Sequence, residues 1–351
     1  MNADHQPSAE WLAPSDSPRW VGLDIGGANL KIADGRGRAA SAAFPLWREP
    51  RGLATAITSL LANFAAPREA SIALTMTGEL ADCYATKADG VRAIIDATLD
   101  AAEGRAVRVA AVDDRWLTCA DAKESPPLVA AANWRLGARL VAGQFPKDRG
   151  VWVDIGSTTT DVIPIEDGKV IAVGANDTAR LLAGELVYTG VRRTPLCAVV
   201  DRLPYRGREC PVAAEWFATT ADVWLLLGQL PENPSDSGTA DGRPLVRQAA
   251  VERLARCLCA DRDSFDVTDG LTVARHVAAI QTAKIVGALA RHDAEWAVFT
   301  GEGEFLAPQV GNNATVAATS VASGHFGTAA SRSFPAHAAA VLASHELGSN
   351  L

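Results

Sequence analysis

The chain has 351 residues, is 48% hydrophobic and 21% charged, and carries a formal net charge of −8 with a pI near 5.3. That length is enough for two domains with real cores. The acidic balance argues against a duplex nucleic-acid binder and against a polybasic membrane surface, while leaving room for phosphorylated substrates that a metal ion can bridge.

In chain order, residues 1–19 are polar and carry Pro7, Pro14 and Pro18, with no signal-peptide layout; they read as a flexible tail. Strand patterns cover Val21–Ile25, Leu30–Ala33 and Ala39–Phe44, followed by a helix over Leu53–Phe64. Ser71–Met76 is a buried strand, Ala88–Ala102 a helix, and Val107–Val112 another buried strand. Pro126 and Pro127 suit the first turn of a helix running to about Gln144, with Asn133, Trp134 and Arg135 as a polar interruption. Val151–Ile155, Asp161–Ile165 and Lys169–Val173 repeat the opening three strands. Short strands and turns are expected through Leu182–Val187, Tyr188–Gly190 and Pro195–Val200, then a helix over Trp216–Leu230 and a surface loop over Glu232–Gly242. Helices follow at Pro244–Cys259 and Thr272–Ala290, a buried strand at Trp296–Thr300, and a last alanine-rich helix at Ala336–Ser344 that is expected to fold back on the first domain. No apolar run approaches a membrane span of ~20 residues, so no membrane contact and a cytoplasmic location are expected. The six cysteines form no Cys-x-x-Cys and read as buried free thiols.

The stretch that organises the chain is Val151-Trp-Val-Asp-Ile-Gly-Ser-Thr-Thr-Thr-Asp-Val-Ile-Pro-Ile165. A strand turns at Gly156 and returns, and the turn holds Asp154, Ser157, Thr158, Thr159, Thr160 and Asp161. So much oxygen at a tight turn suits a metal-bound phosphate. Gly156 can take positive φ and let backbone N–H groups converge, the hydroxyls add donors, and Asp154 can hold Mg²⁺ directly or through water. Trp20–Ala33 has the same grammar, with Asp24, Gly26, Gly27, Asn29 and Lys31 in the turn and the returning strand. Asp154 follows Asp24 by 130 residues (154 − 24), about one domain. Both copies then meet an Asp-Gly turn, at Asp34-Gly35 and Asp167-Gly168. This is the mark of an internal duplication, with two phosphate loops offered to one cleft. The domains are expected at 20–148 and 149–333, with a C-terminal helix over 334–346 joining the first.

A third glycine turn, Gly301-Glu-Gly303, follows the Trp296–Thr300 strand. In order and spacing, the three turns resemble those of the actin-like, sugar-kinase and heat-shock ATPase superfamily. The resemblance implies an α/β fold of two duplicated actin-like (ribonuclease H-like) domains facing a central cleft. The first two turns would hold phosphate and metal, and the third would touch a nucleoside. Further polar stretches are Met76–Lys87, offering Glu79, Asp82 and Lys87, and Gly184–Gly190, offering Glu185. Thr77, Glu79 and Asp82 can equally cap a first helical turn, and Glu185 can equally pair with Arg180 or Arg192. Asn133–Arg135 can form a polar site or an interdomain contact.

Together with Phe217–Asp222, these stretches are similar to hydantoinase A/oxoprolinase-related proteins linked to tetrahydromethanopterin one-carbon transfer. Archaeal members of that group include a methanofuran-biosynthesis enzyme. The resemblance implies a transferase that joins an aminomethyl-furan diphosphate to tyramine or γ-glutamyltyramine and releases diphosphate with Mg²⁺. It implies Asp24 and Asp154 as metal ligands. Gly26, Gly27, Asn29, Lys31, Gly156, Ser157, Thr158 and Thr159 would surround phosphate, and Glu79 or Asp161 would take the phenol proton. Asp82, Lys87, Asn133, Glu185, Gly301 and Gly303 would contact substrate. The partners expected are a phosphorylated small molecule and an aromatic amine, with the chain a monomer or a homodimer. The alternative is an ATP-dependent kinase or oxoprolinase-like hydrolase using the same loops on ATP.

Overall fold

Runs of buried β-branched residues, punctuated by glycine turns, build two six-stranded sheets in a computed structural model that describes residues 19–348. Apart from Arg19, the tail expected over residues 1–19 lies outside the described residues. The first sheet contains β1 (Trp20–Ile25), β2 (Asn29–Ala33), β3 (Ala39–Ala43), β4 (Ser71–Met76), β5 (Val107–Ala110) and β6 (Trp116–Leu117) in the order β3-β2-β1-β4-β5-β6. The second contains β7 (Arg149–Ile155), β8 (Thr160–Glu166), β9 (Lys169–Val170) and β10 (Leu186–Val187). A separate hairpin, β11 (Arg202–Tyr205) and β12 (Arg208–Pro211), precedes its last members, β13 (Trp296–Thr300) and β14 (Ala318–Val321).

The two sheets share one plan. In each, the first strand runs antiparallel to the second and parallel to a later strand, which is parallel to the next: β2-β1-β4-β5 in one, β8-β7-β13-β14 in the other. The registers also match. Asp24 lies opposite Lys31, and Asp154 opposite Asp161. Parallel neighbours force crossovers, so helices cover the sheets. The Asp167-Gly168 turn has both residues at positive φ, 48° and 71°, the type I′ geometry of a two-residue hairpin.

Each sheet has its own core, and a third apolar cluster lies between them. It is built from the Asn133–Ala142 and Phe334–Glu346 helices, with Trp20 and Ala73 from the first sheet and Trp152, Ile163 and Trp296 from the second. The Phe334–Glu346 helix lies on β1 and β4 and against the Asn133–Ala142 helix. Its alanines permit a very close approach: a Cβ on Gly22 of β1 would stand 1.9 Å from the Ala336 carbonyl oxygen. Gly137 does the same for the other helix, where a Cβ would stand 2.3 Å from the Trp152 ring.

Several expectations need correction. The helix expected from Pro126 to about Gln144 is two helices, Pro126–Val129 and Asn133–Ala142, because the chain breaks at Ala131, whose φ is 49°. Asn133 therefore opens a helix instead of interrupting one. The third strand of the second sheet is only Lys169–Val170. The strand-and-turn reading of Leu182–Val187 misses a helix over Asp177–Ala183, capped by the Asn176 side chain and ended by left-handed Gly184. Leu196–Val199 is a short helix, and the Trp216–Leu230 pattern shrinks to Thr220–Leu226 behind a Thr219/Asp222 capping box. All six cysteines are free, but only Cys257 is buried. Among the described residues, no helix is long and apolar enough to cross a membrane.

His337 stands at the centre of the layer between the sheets, with its ring 4.5 Å from that of Phe326 and neither ring nitrogen hydrogen-bonded. Burial pushes its pKa down to about 4 from 6.5. The unfolded chain takes up this proton below the ordinary value and the folded chain does not, so stability is lost as pH falls from 6.5 towards 4. His337→Leu is expected to flatten the fall in melting temperature between pH 7 and pH 5, measured by differential scanning calorimetry. An unchanged slope would show that the histidine does not govern it.

Candidate active site

Each strand-turn-strand is closed by the same bond. The Gly26 N–H donates to the Asn29 carbonyl at 3.0 Å, and the Gly156 N–H donates to the Thr159 carbonyl at 2.9 Å. Neither glycine takes the left-handed φ expected for Gly156. The physical reason for glycine is close approach: a Cβ would stand 2.9 Å from the Asn29 oxygen in the first turn and 3.2 Å from the Thr159 oxygen in the second. Gly27 is open, with nothing within 4 Å of an added Cβ, and its carbonyl accepts from the Leu46 N–H at 3.0 Å. The Ser157 carbonyl accepts from the Arg192 and Arg193 N–H groups at 3.0 and 2.9 Å. Ser157, Thr158 and Thr159 keep half-buried side chains, whereas the Thr160 hydroxyl donates to the Thr189 carbonyl at 2.8 Å.

Asp24 and Asp154 end the central strands of their sheets and are 5% and 8% exposed. The Asp24 Oδ1 is buried without a hydrogen-bond partner. Burial raises the pKa of Asp24, against the pull of Lys31 and with the push of Asp161. Burial also lifts Asp154 to about 7, Lys31 and the Thr300 hydroxyl pull it down, and Asp161 and Asp24 push it up. Both aspartates thus feel the same lysine and the same third carboxylate, although they belong to different sheets.

Asp154 is held in place by a relay that sequence reading missed. The Trp152 Nε1–H donates to the Thr300 Oγ1 at 3.0 Å, and the Thr300 hydroxyl donates to the Asp154 Oδ1 at 2.5 Å. Thr300 is paired with Asp154 in the parallel register of β13 and directly precedes Gly301. That position, the last residue of a buried strand before a glycine turn, was the available signal. The third turn seals the back of the second. Gly301, at φ 94°, would place a Cβ 2.4 Å from the Ile155 carbonyl oxygen, and the Gly303 N–H donates to that oxygen at 2.9 Å. Both glycines, expected to contact substrate, pack against the Asp154 turn.

Two further expected site residues have partners within the chain. Asp161, a candidate base, is buried in an ion pair with Arg180, whose guanidinium donates to its Oδ1. Glu185, the other, accepts from the Val173 and Gly174 N–H groups at 2.7 and 3.0 Å, so it braces the chain after β9. Arg192 pairs with Glu302 at 2.5 Å.

Glu79 has the opposite character. It is 1% exposed, and its Oε2 lacks a hydrogen-bond partner. Burial raises its pKa to about 7; its own and the Ala131 backbone N–H groups and Lys87 oppose the shift, and Asp177 adds to it. Lys87 opens the Lys87–Ala101 helix and approaches Asp177 of the other half at 4.0 Å, so Glu79 lies beside a bridge between the halves. That helix is capped by Thr86, not by Thr77. Asp82 is exposed and Asn133 half-buried.

The donor set fits a hard divalent cation. Asp24 and Asp154 offer carboxylate oxygens, one of them buried and unpartnered, and among the described residues no group of three or more His, Cys, Asp or Glu is arranged to hold a metal. Magnesium is commonly held this way, by one or two carboxylates with phosphate and water completing its shell.

A model of the hydantoinase/oxoprolinase family matches residues 71–345. A (4-{4-[2-(gamma-L-glutamylamino)ethyl]phenoxymethyl}furan-2-yl)methanamine synthase from Methanocaldococcus jannaschii is 40% identical over 246 residues, 69% of this chain and 72% of that protein. A protein of the same name from Methanococcus vannielii is 36% identical over 124 residues, 35% of this chain and 55% of its own length. The nucleotide-free structure of acetone carboxylase superposes with a TM-score of 0.55 at 13% identity, covering 92% of this chain and 70% of that one. This last likeness shows the fold, two duplicated actin-like domains about a cleft.

The pKa of Asp154 carries a stability consequence. Between 3.8 and about 7 the folded protein holds a proton that the unfolded chain releases, so stability falls as pH rises through that window. Asp154→Asn removes the buried charge, while its Oδ1 still accepts from Thr300. Its melting temperature at pH 8 without metal is expected to exceed that of the parent by roughly 2–5 °C. A lower melting temperature would show that the ionised aspartate is not under strain.

Proposed function

The chain belongs to the hydantoinase/oxoprolinase family, and on that premise we propose that it joins an aminomethyl-furan diphosphate to the phenol of γ-glutamyltyramine, or of tyramine itself, and releases diphosphate. The observation that carries this reading is the pair of matched turns, each with a buried aspartate at the end of a central strand, both within the field of Lys31. The product in the relatives' name has a phenoxymethyl bridge to a furan. Such an ether forms when a phenol oxygen attacks a furan methylene that carries a leaving group, and a cleft built around phosphate-binding turns suits a diphosphate leaving group. The reading places the chain in methanofuran or methylofuran cofactor biosynthesis, tied to tetrahydromethanopterin-dependent one-carbon metabolism in the cytoplasm.

The furan ring stabilises positive charge on its exocyclic methylene, so the step needs charge stabilisation on the departing side. The methylene C–O bond to diphosphate breaks, the phenol O–C bond forms, and the phenol proton passes to a base. The Gly26 and Gly156 turns, with Ser157, Thr158, Thr159 and Lys31, hold the phosphate oxygens. Asp24 and Asp154 would hold Mg²⁺, which when bound draws charge from the leaving diphosphate. Glu79 takes the proton. It is buried, its Oε2 is unpartnered, and its pKa lies where a base works near neutrality, whereas Asp161 is committed to Arg180. No ATP is consumed.

The test is turnover by the purified protein with Mg²⁺, aminomethyl-furan diphosphate and γ-glutamyltyramine or tyramine, beside a tube with ATP alone. Ether and diphosphate are expected without ATP. ATP hydrolysis with no ether would move the chain to the kinase or hydrolase reading. Because Glu79 must be ionised, kcat/KM is expected to rise with pH through about 7. Glu79→Gln is expected to lower kcat by roughly 10²- to 10⁴-fold and to remove that limb. A wild-type rate in this variant would assign the proton elsewhere.

A further inference from the structure

The cations around the two turns fall into two groups. Arg180 is held by Asp161 and Asp177, Arg192 by Glu302 and Asp236, and Lys87 by Asp177. Lys31 shares its charge among Asp24, Asp154 and Asp161. Arg193 differs: among the described residues its guanidinium meets no carboxylate. It lies instead over the Trp47 ring, 5.0 Å from the centroid. Its backbone N–H donates to the Ser157 carbonyl at 2.9 Å, so Arg193 is fixed to the second turn. Trp47 follows Leu46, whose N–H donates to the Gly27 carbonyl at 3.0 Å, so Trp47 is fixed to the first. The stack therefore bridges the two halves beside both turns. Arg48 lies near the same ring at 5.9 Å and also lacks a carboxylate among the described residues.

A guanidinium held over an indole face has its fork limited in direction and is only weakly hydrated, which suits bidentate capture of an oxyanion. The turns already supply donors for the inner phosphate. From the position of Arg193, outside the Ser157 turn on the Trp47 side, we infer that this arginine recognises the outer phosphate of the diphosphate leaving group, with Trp47 as the residue that positions it. The inference rests on the diphosphate reading of the reaction and deepens it: the cleft selects a diphosphate over a monophosphate through a side chain that both halves hold in place. Full engagement requires the halves to be as close as the stack makes them, so the same contact links the anion to cleft closure.

Binding of inorganic pyrophosphate and of inorganic orthophosphate, each with Mg²⁺, measured by isothermal titration calorimetry on the full chain, tests this. Arg193→Gln is expected to weaken pyrophosphate about tenfold to a hundredfold, the loss of a charge-assisted contact, and orthophosphate less than about threefold. Arg193→Lys, which keeps the charge and loses the fork, is expected to fall between. Trp47→Leu is expected to weaken pyrophosphate, and Trp47→Tyr to restore most of the loss. Equal weakening of both anions would overturn the inference, because a general positive field would then suffice. Unchanged pyrophosphate binding with a lost preference for γ-glutamyltyramine over tyramine would also overturn it, by assigning Arg193 to the glutamyl carboxylate. Failure of the parent protein to bind pyrophosphate would sink the diphosphate reading along with the inference, whereas equal binding by parent and Arg193→Gln would sink the inference alone.

Discussion

Two carboxylates, Asp24 and Asp154, are buried at equivalent ends of the two central strands, within the field of one lysine and a third carboxylate. Buried like charges raise one another's pKa and oppose ionisation unless a cation joins them. The rest of the molecule holds this arrangement in place. Thr300 and Trp152 fix the Asp154 carboxylate, Gly301 and Gly303 close tightly over Ile155, and Gly190 approaches so near that an added Cβ would stand 2.4 Å from the Thr158 nitrogen. A site held this firmly before any ligand arrives is the condition for electrostatic stabilisation of a leaving group.

The duplication explains why the two halves do different work. Their sheets share a plan and a register, yet the residue opposite the aspartate is Lys31 in one and Asp161 in the other. Asp161 gives its charge to Arg180, and that guanidinium lies 4.7 Å from the Trp134 ring on a helix of the layer between the sheets. The second copy has thus turned its opposing residue into a structural tie, whereas the first keeps a cation beside the aspartates. The same layer, with Gly22 and Gly137 admitting their helices at very short range, sets how the two turns face each other.

Much of this was legible in the chain. Buried strands such as Ser71–Met76 and Trp296–Thr300 stand where their apolar runs end, because a run bounded by turn residues leaves little choice. The repeated Asp-Ile-Gly showed the two turns because matched geometry requires matched sequence. What stayed hidden depended on partners distant in sequence. Asp161 looks like a free acid until Arg180 is placed beside it, and Glu185 looks catalytic until two backbone N–H groups are found on it. Thr300 carries no motif of its own and gains meaning only from the parallel pairing of β13 with β7. The break at Ala131 was hidden for another reason: alanine is a strong helix former, and its positive φ there is imposed by the tertiary structure.

The most direct test of the central claim, that the two aspartates clamp one metal–diphosphate unit between the halves, is a crystal structure of the protein with Mn²⁺ and pyrophosphate, with the ion located by anomalous scattering. The account predicts a single strong peak within bonding distance of both Asp24 and Asp154, with phosphate oxygens reaching the Gly26 and Gly156 turns. A peak at another site, or pyrophosphate bound away from the two turns, would contradict it.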